Sequence, residues 1–143
     1  MNDIKINRDK INLCPCHSNK PFKKCCDRFL NAGEYPKTPE QLMRSRYSAY
    51  ALGGCGDYLL NTWLPATSQG LSADQLSEKD SDWTGLDVLE KTQKGNNGVV
   101  EFKAYYFDQS GSEPITDQKI LHEKSVFKRI QGKWLYVGGE VRR

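Results

Sequence analysis

Four of the five cysteines in this chain of 143 residues fall within one stretch of thirteen, CPCHSNKPFKKCC, from Cys14 to Cys26. Such crowding admits three explanations: a disulfide staple, a redox pair or a metal cage. Cys25 and Cys26 are adjacent, and a ring closed between neighbours strains the peptide between them. A redox pair calls for C-x-x-C, a spacing absent here. A tetrahedral ion needs four soft ligands at one point, and Zn²⁺ accepts four thiolates. In CPC the proline stiffens a tight turn that lets both sulfurs face one ion. HSNK consists of turn formers, with Asn19 able to take the left-handed conformation that closes such a turn. PFKKCC then reads as the start of a short helix with Pro21 in its first turn. The residues point to one Zn²⁺ held by Cys14, Cys16, Cys25 and Cys26, with no open coordination position. Lys20, Lys23 and Lys24 offset part of the negative charge of a zinc tetrathiolate.

The spacing C-x-C, eight residues, C-C resembles the SEC-C motif, the small zinc module at the carboxyl end of the SecA translocation ATPase and in many other bacterial proteins. The resemblance covers residues 13 to 27. His17 and Asn19 stand where the module usually has glycines, Phe22 where it often has tyrosine, and Asp27 where glycine often follows the last ligand; none of these removes a thiol. The resemblance implies a small zinc module over residues 1–30 that docks on a protein partner, with Lys20, Phe22, Lys23 and Lys24 as the candidate contact residues. His17 follows a cysteine already committed to the metal and belongs on the surface of the knuckle.

Composition limits the remaining classes. Hydrophobic residues make up 37% and charged residues 27%, which fits a folded globular chain and not a disordered one. No apolar run approaches the length of a membrane span, and the opening MNDIKINRDKIN has no apolar core of a signal peptide. The expected location is the reducing cytoplasm, where structural disulfides are disfavoured. The net charge of +3 is uneven: residues 1–30 hold seven Lys and Arg against three Asp. Four thiolates around one divalent ion reduce that excess, leaving too little to argue nucleic-acid binding on charge alone.

After the cysteines, NAGEYPKTPE reads as a linker, with Gly33, Pro36 and Pro39. Thr38 is a helix N-cap, Pro39 the first helical residue, and Gln41 the partner in a capping box. The helix runs through PEQLMRSRYSAYAL to Gly53-Gly54, with Met43, Arg46, Tyr47 and Tyr50 on one face. A second helix, DYLLNTWL, starts at Asp57 and is expected to end at Pro65. A third starts at the N-cap Ser72. From Trp83 the period becomes two, giving WTGLDVLEKTQ, VVEFKAYYF, KILHEKSVFKRI and WLYVGGEV, separated by KGNNG, DQSGSEP and QGK. Four strands with short Gly- and Asn-rich turns predict an antiparallel meander, and helices followed by one sheet predict an α+β domain over residues 31–143.

That order resembles the cone-shaped fold of nuclear transport factor 2 and its cystatin-like relatives, in which a curved sheet wraps a long helix and leaves a pocket. It is similar in more detail to the YchJ family of SEC-C proteins, through LMRSRYSAYALGG, DYLLNTW, WTGLDVLE, GVVEFKAYYF and LHEKSVFKRIQGKWLYVGG. Cone folds include isomerases, dehydratases and binding modules, so function rests on the site.

Strand periodicity assigns Val100, Phe102, Ala104 and Tyr106 to the inner face of the second strand. On the third strand, Leu121, Glu123, Ser125 and Phe127 are expected inside, because the other face carries Lys124 and Lys128. His122 and Glu123 then point to opposite sides and cannot form a dyad. Glu123 is expected to pair with Arg46 as a buried link between helix and sheet. The candidate pocket is Arg46, Tyr50, Trp63, Tyr106, Glu123 and Ser125, and no residue is assigned a catalytic role. Cys55, beside glycines, is an incidental thiol. The favoured reading is a non-enzymatic adaptor whose zinc knuckle docks on a protein and whose cone pocket is open to a small-molecule ligand. The alternatives are a small-molecule isomerase or dehydratase and, more weakly, nucleic-acid binding through Lys20, Lys23, Lys24 and Arg28.

Overall fold

The alternating pattern after residue 80 forms four strands in one antiparallel sheet of order β1-β2-β3-β4. These are β1 (Ser81–Lys94), β2 (Asn97–Asp108), β3 (Lys119–Ile130) and β4 (Lys133–Val141). The computed structural model describes residues 12–109 and 117–142; most of the expected turn DQSGSEP, and the opening MNDIKINRDKI, lie outside them. Two hairpins are tight. Lys94 pairs with Asn97 across Gly95 and Asn96, with Gly95 at φ 57°. Gln131 and Gly132, at φ 52° and 80°, join β3 to β4 in the doubly left-handed turn that matches strand twist. Register shifts at Thr84 and Leu89 on β1 and at Val137 on β4 insert single extra residues. Bulges of this kind bend strands and increase their twist.

Among the described residues, four α-helices precede the sheet: α1 (Asp27–Leu30), α2 (Pro39–Leu52), α3 (Gly56–Asn61) and α4 (Ala73–Ser77). Thr38 caps α2 by accepting from the Gln41 amide at 3.1 Å. The Gln41 side chain turns back to the Lys37 amide instead of the Thr38 amide, at 2.8 Å, so the expected box is displaced by one residue. The full reciprocal box forms at Ser72 and Gln75, at the start of α4. α3 does not run to Pro65. It stops at Asn61 because the next residues pair with the sheet: Tyr136 donates to the Thr62 carbonyl and Leu64 to the Tyr136 carbonyl, both at 2.8 Å.

α2 packs against β1, β2 and β4. Its approach depends on Gly98, where a Cβ would sit 2.3 Å from Pro39 Cγ. Leu42, Met43, Tyr47, Val100, Phe102, Ala104, Phe127 and Trp134 form the buried cluster between helix and sheet. Val100, Phe102 and Ala104 thus occupy the inner face expected of them. Among the described residues, no helix is long and apolar enough to cross a membrane.

Candidate metal centre and cone cavity

A short hairpin presents the first two cysteines. Cys14 donates to the Lys20 carbonyl at 2.8 Å, Phe22 donates to the Asn12 carbonyl at 2.8 Å, and His17 donates to the Cys14 carbonyl at 3.2 Å. His17 and Asn19 hold φ 62° and 66°, the left-handed region where His and Asn are enriched among non-glycine residues. The two positions at which this chain replaces the usual glycines therefore keep the backbone glycine would give. Pro21 leads into a single 3-10 turn, Phe22–Lys24, and the α-helix proper begins only at α1, after both remaining cysteines. The expected helix start is thus a tighter turn, which swings Cys25 and Cys26 toward the hairpin.

The four sulfurs all lie within 4.8 Å of one another, with Cys16 and Cys25 Sγ 3.5 Å apart. Thiolates about 2.3 Å from a tetrahedral Zn²⁺ are about 3.8 Å from each other, so the cluster fits such an ion. The cysteines are between 0% and 7% exposed, which leaves no open face. Contacts from Cys16 and Cys26 lower the Cys14 thiol, and the same crowding raises Cys16 to about 11 and pushes Cys26 up as well. Thiolate sulfurs this close repel one another, so four of them together require a cation.

The cluster rests on α2. Cys14 Sγ lies 3.6 Å from Ser48 Oγ, and Arg44 Nη1 donates to the Cys16 carbonyl at 2.7 Å. Arg44 Nε also meets Glu40 at 3.0 Å, and Lys91 of β1 reaches the other Glu40 oxygen at 2.6 Å. Burial would lower the Arg44 guanidinium, but Glu40 and the Cys16 thiol outweigh it and hold it high. The four cysteines belong to the same buried cluster as Leu42, Met43 and Tyr47. The expectation that residues 31–143 stand apart from the module meets this continuous packing. Of the candidate contact residues, Lys20, Lys23 and Lys24 are exposed, while Phe22 is half-buried against the core.

An adjoining face of α2 lines a cavity of about 300 Å³ between helix and sheet. Met43, Arg46, Tyr47 and Tyr50 line it from the helix, Trp63 from the segment after α3, and Leu121, Glu123, Ser125, Phe127 and Tyr136 from the sheet. The face of β3 expected inside is therefore inside. Tyr106 is not in the lining. Its ring packs 4.7 Å from Trp83, which lines the cavity in its place.

Arg46 and Glu123 share this cavity without forming the expected ion pair; none joins them among the described residues. Arg46 Nη1 donates to the Leu59 carbonyl and to Thr62 Oγ1, both at 2.7 Å. Its guanidinium lies 4.9 Å from the Trp63 ring and 4.7 Å from the Tyr136 ring. Burial lowers its pKa, and Tyr50, Tyr136 and Glu123 partly offset that. Glu123 accepts from Ser125 and, at 3.1 Å, from the Tyr136 hydroxyl. Its carboxylate lies over Gly139, where a Cβ would come 2.3 Å from Oε2. Burial and then the Glu123 charge raise the Tyr136 phenol; burial raises Tyr50 and takes Tyr47 to about 12. Of the buried polar atoms in the lining residues, Trp63 Nε1 has no hydrogen-bond partner, and Tyr47 Oη has none beyond the approach of the Gly85 amide. His122 is on the outer face, 2.7 Å from Glu101.

Tyr136 is the residue that sequence reasoning missed, although alternation from Trp134 already placed it on the inner face. Ser48 and Arg44 were also missed, because only the fold brings α2 under the cysteines.

The model of the SEC-C motif matches residues 12–28, and that of the YchJ middle NTF2-like domain matches residues 38–139. The chain belongs to the YchJ family. A UPF0225 protein of Serratia proteamaculans is 37% identical over 131 residues, 89% of this chain and 82% of its own length. A UPF0225 protein of Streptomyces coelicolor is 39% identical over 132 residues, 89% of this chain and 94% of its own. The solution structure of a SEC-C motif containing protein from Rhodopseudomonas palustris matches with a TM-score of 0.79 at 34% identity, covering 92% of this chain and 99% of that one. A crystal structure of a SEC-C motif containing protein from Psychrobacter arcticus matches at 0.72 and 29% identity, covering 95% and 86%. The YchJ-type arrangement here is thus an NTF2-like α+β domain preceded by a four-cysteine SEC-C cluster able to hold a metal ion.

Proposed function

We propose that this YchJ-family chain is a non-enzymatic binding protein. Cys14, Cys16, Cys25 and Cys26 hold a structural Zn²⁺, the basic face of the knuckle docks on a protein partner, and the cone cavity takes up a small molecule. The observation that carries this reading is the closed cysteine cluster, seated on the same helix that lines the cavity. A closed tetrathiolate site offers no position for substrate and acts through folding. The polar groups of the cavity also favour binding over turnover: Arg46 is engaged by Leu59 and Thr62, and Glu123 by Ser125 and Tyr136. Thiols kept free for a metal suit the reducing cytoplasm.

The docking part of this reading is tested by Lys20→Glu, Lys23→Glu and Lys24→Glu combined in the full chain. These exposed side chains touch no thiol sulfur, so zinc content and melting temperature should be kept. In-cell cross-linking to a partner protein should fall to background. A cross-linked species formed equally by the wild type and the triple variant would rule out docking through this face.

A further inference from the structure

We propose that the ligand of the cone cavity is a small zwitterion on an apolar body, a free apolar α-amino acid, with its carboxylate on Arg46 and its ammonium on Glu123. This deepens the reading of the cavity as a ligand site and rests on it. The volume of about 300 Å³ is at the lower end of small-molecule sites, roughly 300–1,000 Å³. Met43, Trp83, Phe102, Leu121 and Phe127 give the cavity apolar walls.

Each charged group of the lining has one side spent on the protein and the other open. Arg46 lines the cavity and is only 5% exposed. Its Nη1 uses both hydrogens, on the Leu59 carbonyl and on Thr62 Oγ1. A guanidinium has five N–H donors. Among the described residues, the only further hydrogen-bonding contact of this one is with the Tyr50 hydroxyl, so its Nε and Nη2 edge has donors to spare. Glu123 is the mirror case: Ser125 and the Tyr136 hydroxyl both donate to Oε2, and Oε1 accepts from no described residue. Neither open side is shut in. Among the described residues, the sealed polar side-chain atoms short of a full hydrogen bond belong to Tyr47 and Trp63, so a molecule the size of water reaches both charged groups.

The partners these groups do have carry no charge. Arg46 meets a carbonyl, hydroxyls and the faces of Trp63 and Tyr136; Glu123 meets two hydroxyls. Charges taken out of water are ordinarily paired with opposite ones, yet no ion pair joins either group to a described residue. Tyr136 links the two, with its ring on the guanidinium and its hydroxyl on the carboxylate. A ligand with a single charge would be attracted by one group and repelled by the other. A zwitterion is matched at both. The planar edge of Arg46 suits a carboxylate, and an ammonium gives Glu123 Oε1 a cationic donor. An α-amino acid carries both charges on one carbon and leaves its side chain for the apolar walls.

The test uses the zinc-loaded full chain and four probes on one branched skeleton. These are L-leucine, 3-methylbutylamine (leucine without its carboxylate), 4-methylpentanoate (leucine without its ammonium) and the neutral 4-methylpentanamide. Each is titrated while the resonances of the cavity-lining residues are followed by NMR. We expect leucine to bind tightest, and loss of either charge to weaken binding by about tenfold or more. Glu123→Gln should weaken leucine by a similar factor and tighten 4-methylpentanoate, because the repelling carboxylate is gone. Binding of any other probe to the wild type as tightly as leucine, or leucine binding untouched by Glu123→Gln, would overturn the ligand class and leave the cavity reading standing. Failure of all four probes to move any cavity-lining resonance would overturn the cavity reading itself.

Discussion

The cysteine knuckle and the cone cavity share one helix and use it in different ways. Arg44 and Ser48, four residues apart, support the cysteines, while Met43, Arg46, Tyr47 and Tyr50 line the cavity. These are two neighbouring stripes at helical spacing. In the knuckle, four like groups converge on one point and need a single ion. In the cavity, unlike groups are dispersed over an apolar surface, and the Trp63 indole nitrogen beside it remains unmatched. One region converges on a single point able to hold a metal ion; the other encloses an open, mostly apolar space. α2 therefore presents no plain amphipathic face, because polar side chains are buried on both stripes.

Metal removal should separate the two regions most sharply. Structural Zn²⁺ binding is worth about 10–16 kcal/mol in small zinc modules, against about 5–15 kcal/mol for the whole stability of a typical domain. Complete chelation, or Cys16→Ser, should unfold residues 12–30 and lower the melting temperature of the remainder. Amide NMR spectra of residues 12–30 would check this, and an unchanged spectrum in zinc-free protein would refute it.

Truncation is the next largest effect. The linker and the cap at Thr38 implied that residues 31–143 fold alone, whereas the buried cluster runs from the cysteines into Leu42, Met43 and Tyr47. Cutting before residue 31 partly exposes these side chains, each worth about 1.5–3 kcal/mol when fully buried. Urea denaturation should show a loss of about 2–4 kcal/mol; equal stability of the truncated and full chains would restore the module as a separate unit.

The third comparison is within the cavity. Glu123→Ala would be severe if it stranded a paired Arg46, but Arg46 has its own acceptors. Arg46→Met should cost about 2–4 kcal/mol and Glu123→Gln less than about 1 kcal/mol. Their coupling in a double-mutant cycle should stay below about 1 kcal/mol. A larger coupling would re-establish the ion pair that the geometry lacks.

The smallest effect concerns the strut between the regions. Burial alone would raise the Glu40 carboxyl, but Lys91 and Arg44 outweigh it and hold it below its ordinary 4.5. A carboxylate depressed in the folded state stabilises above its unfolded pKa and loses that contribution as pH falls through the folded value. Glu40→Gln should cost less than about 1 kcal/mol at pH 7, because the group is still partly exposed and solvent screens the pair. The difference from wild type should shrink as pH falls below 4.5, measured by thermal melts across pH. A constant difference down to pH 2 would mean that Glu40 acts through packing instead.

Local signals account for what the sequence disclosed. Cysteine spacing, the caps at Thr38 and Ser72, and the alternation that turned Leu121, Glu123, Ser125 and Phe127 inward all act within a few residues. What it concealed depends on distant partners. α3 ends early because Thr62 and Leu64 bond to Tyr136, which makes Pro65 irrelevant as a stop. Tyr106 leaves the cavity because Trp83 stacks on it. Arg46 finds a carbonyl at the end of α3 and two ring faces in place of Glu123. Periodicity chooses a face; it does not choose which of several acceptable partners a side chain on that face will meet.

The backbone bridge between Thr62, Leu64 and Tyr136 also has a consequence in time. During synthesis the amino-terminal part of a chain emerges first, so the cysteines and α2 leave the ribosome before any strand does. The Thr62–Leu64 segment must then wait for more than half the chain before its hydrogen-bonding partner exists. Until β4 arrives, Arg46 lacks its second aromatic face and the cavity has no wall at Tyr136. The cysteine cluster is thus made before the sheet, and the cavity is closed last.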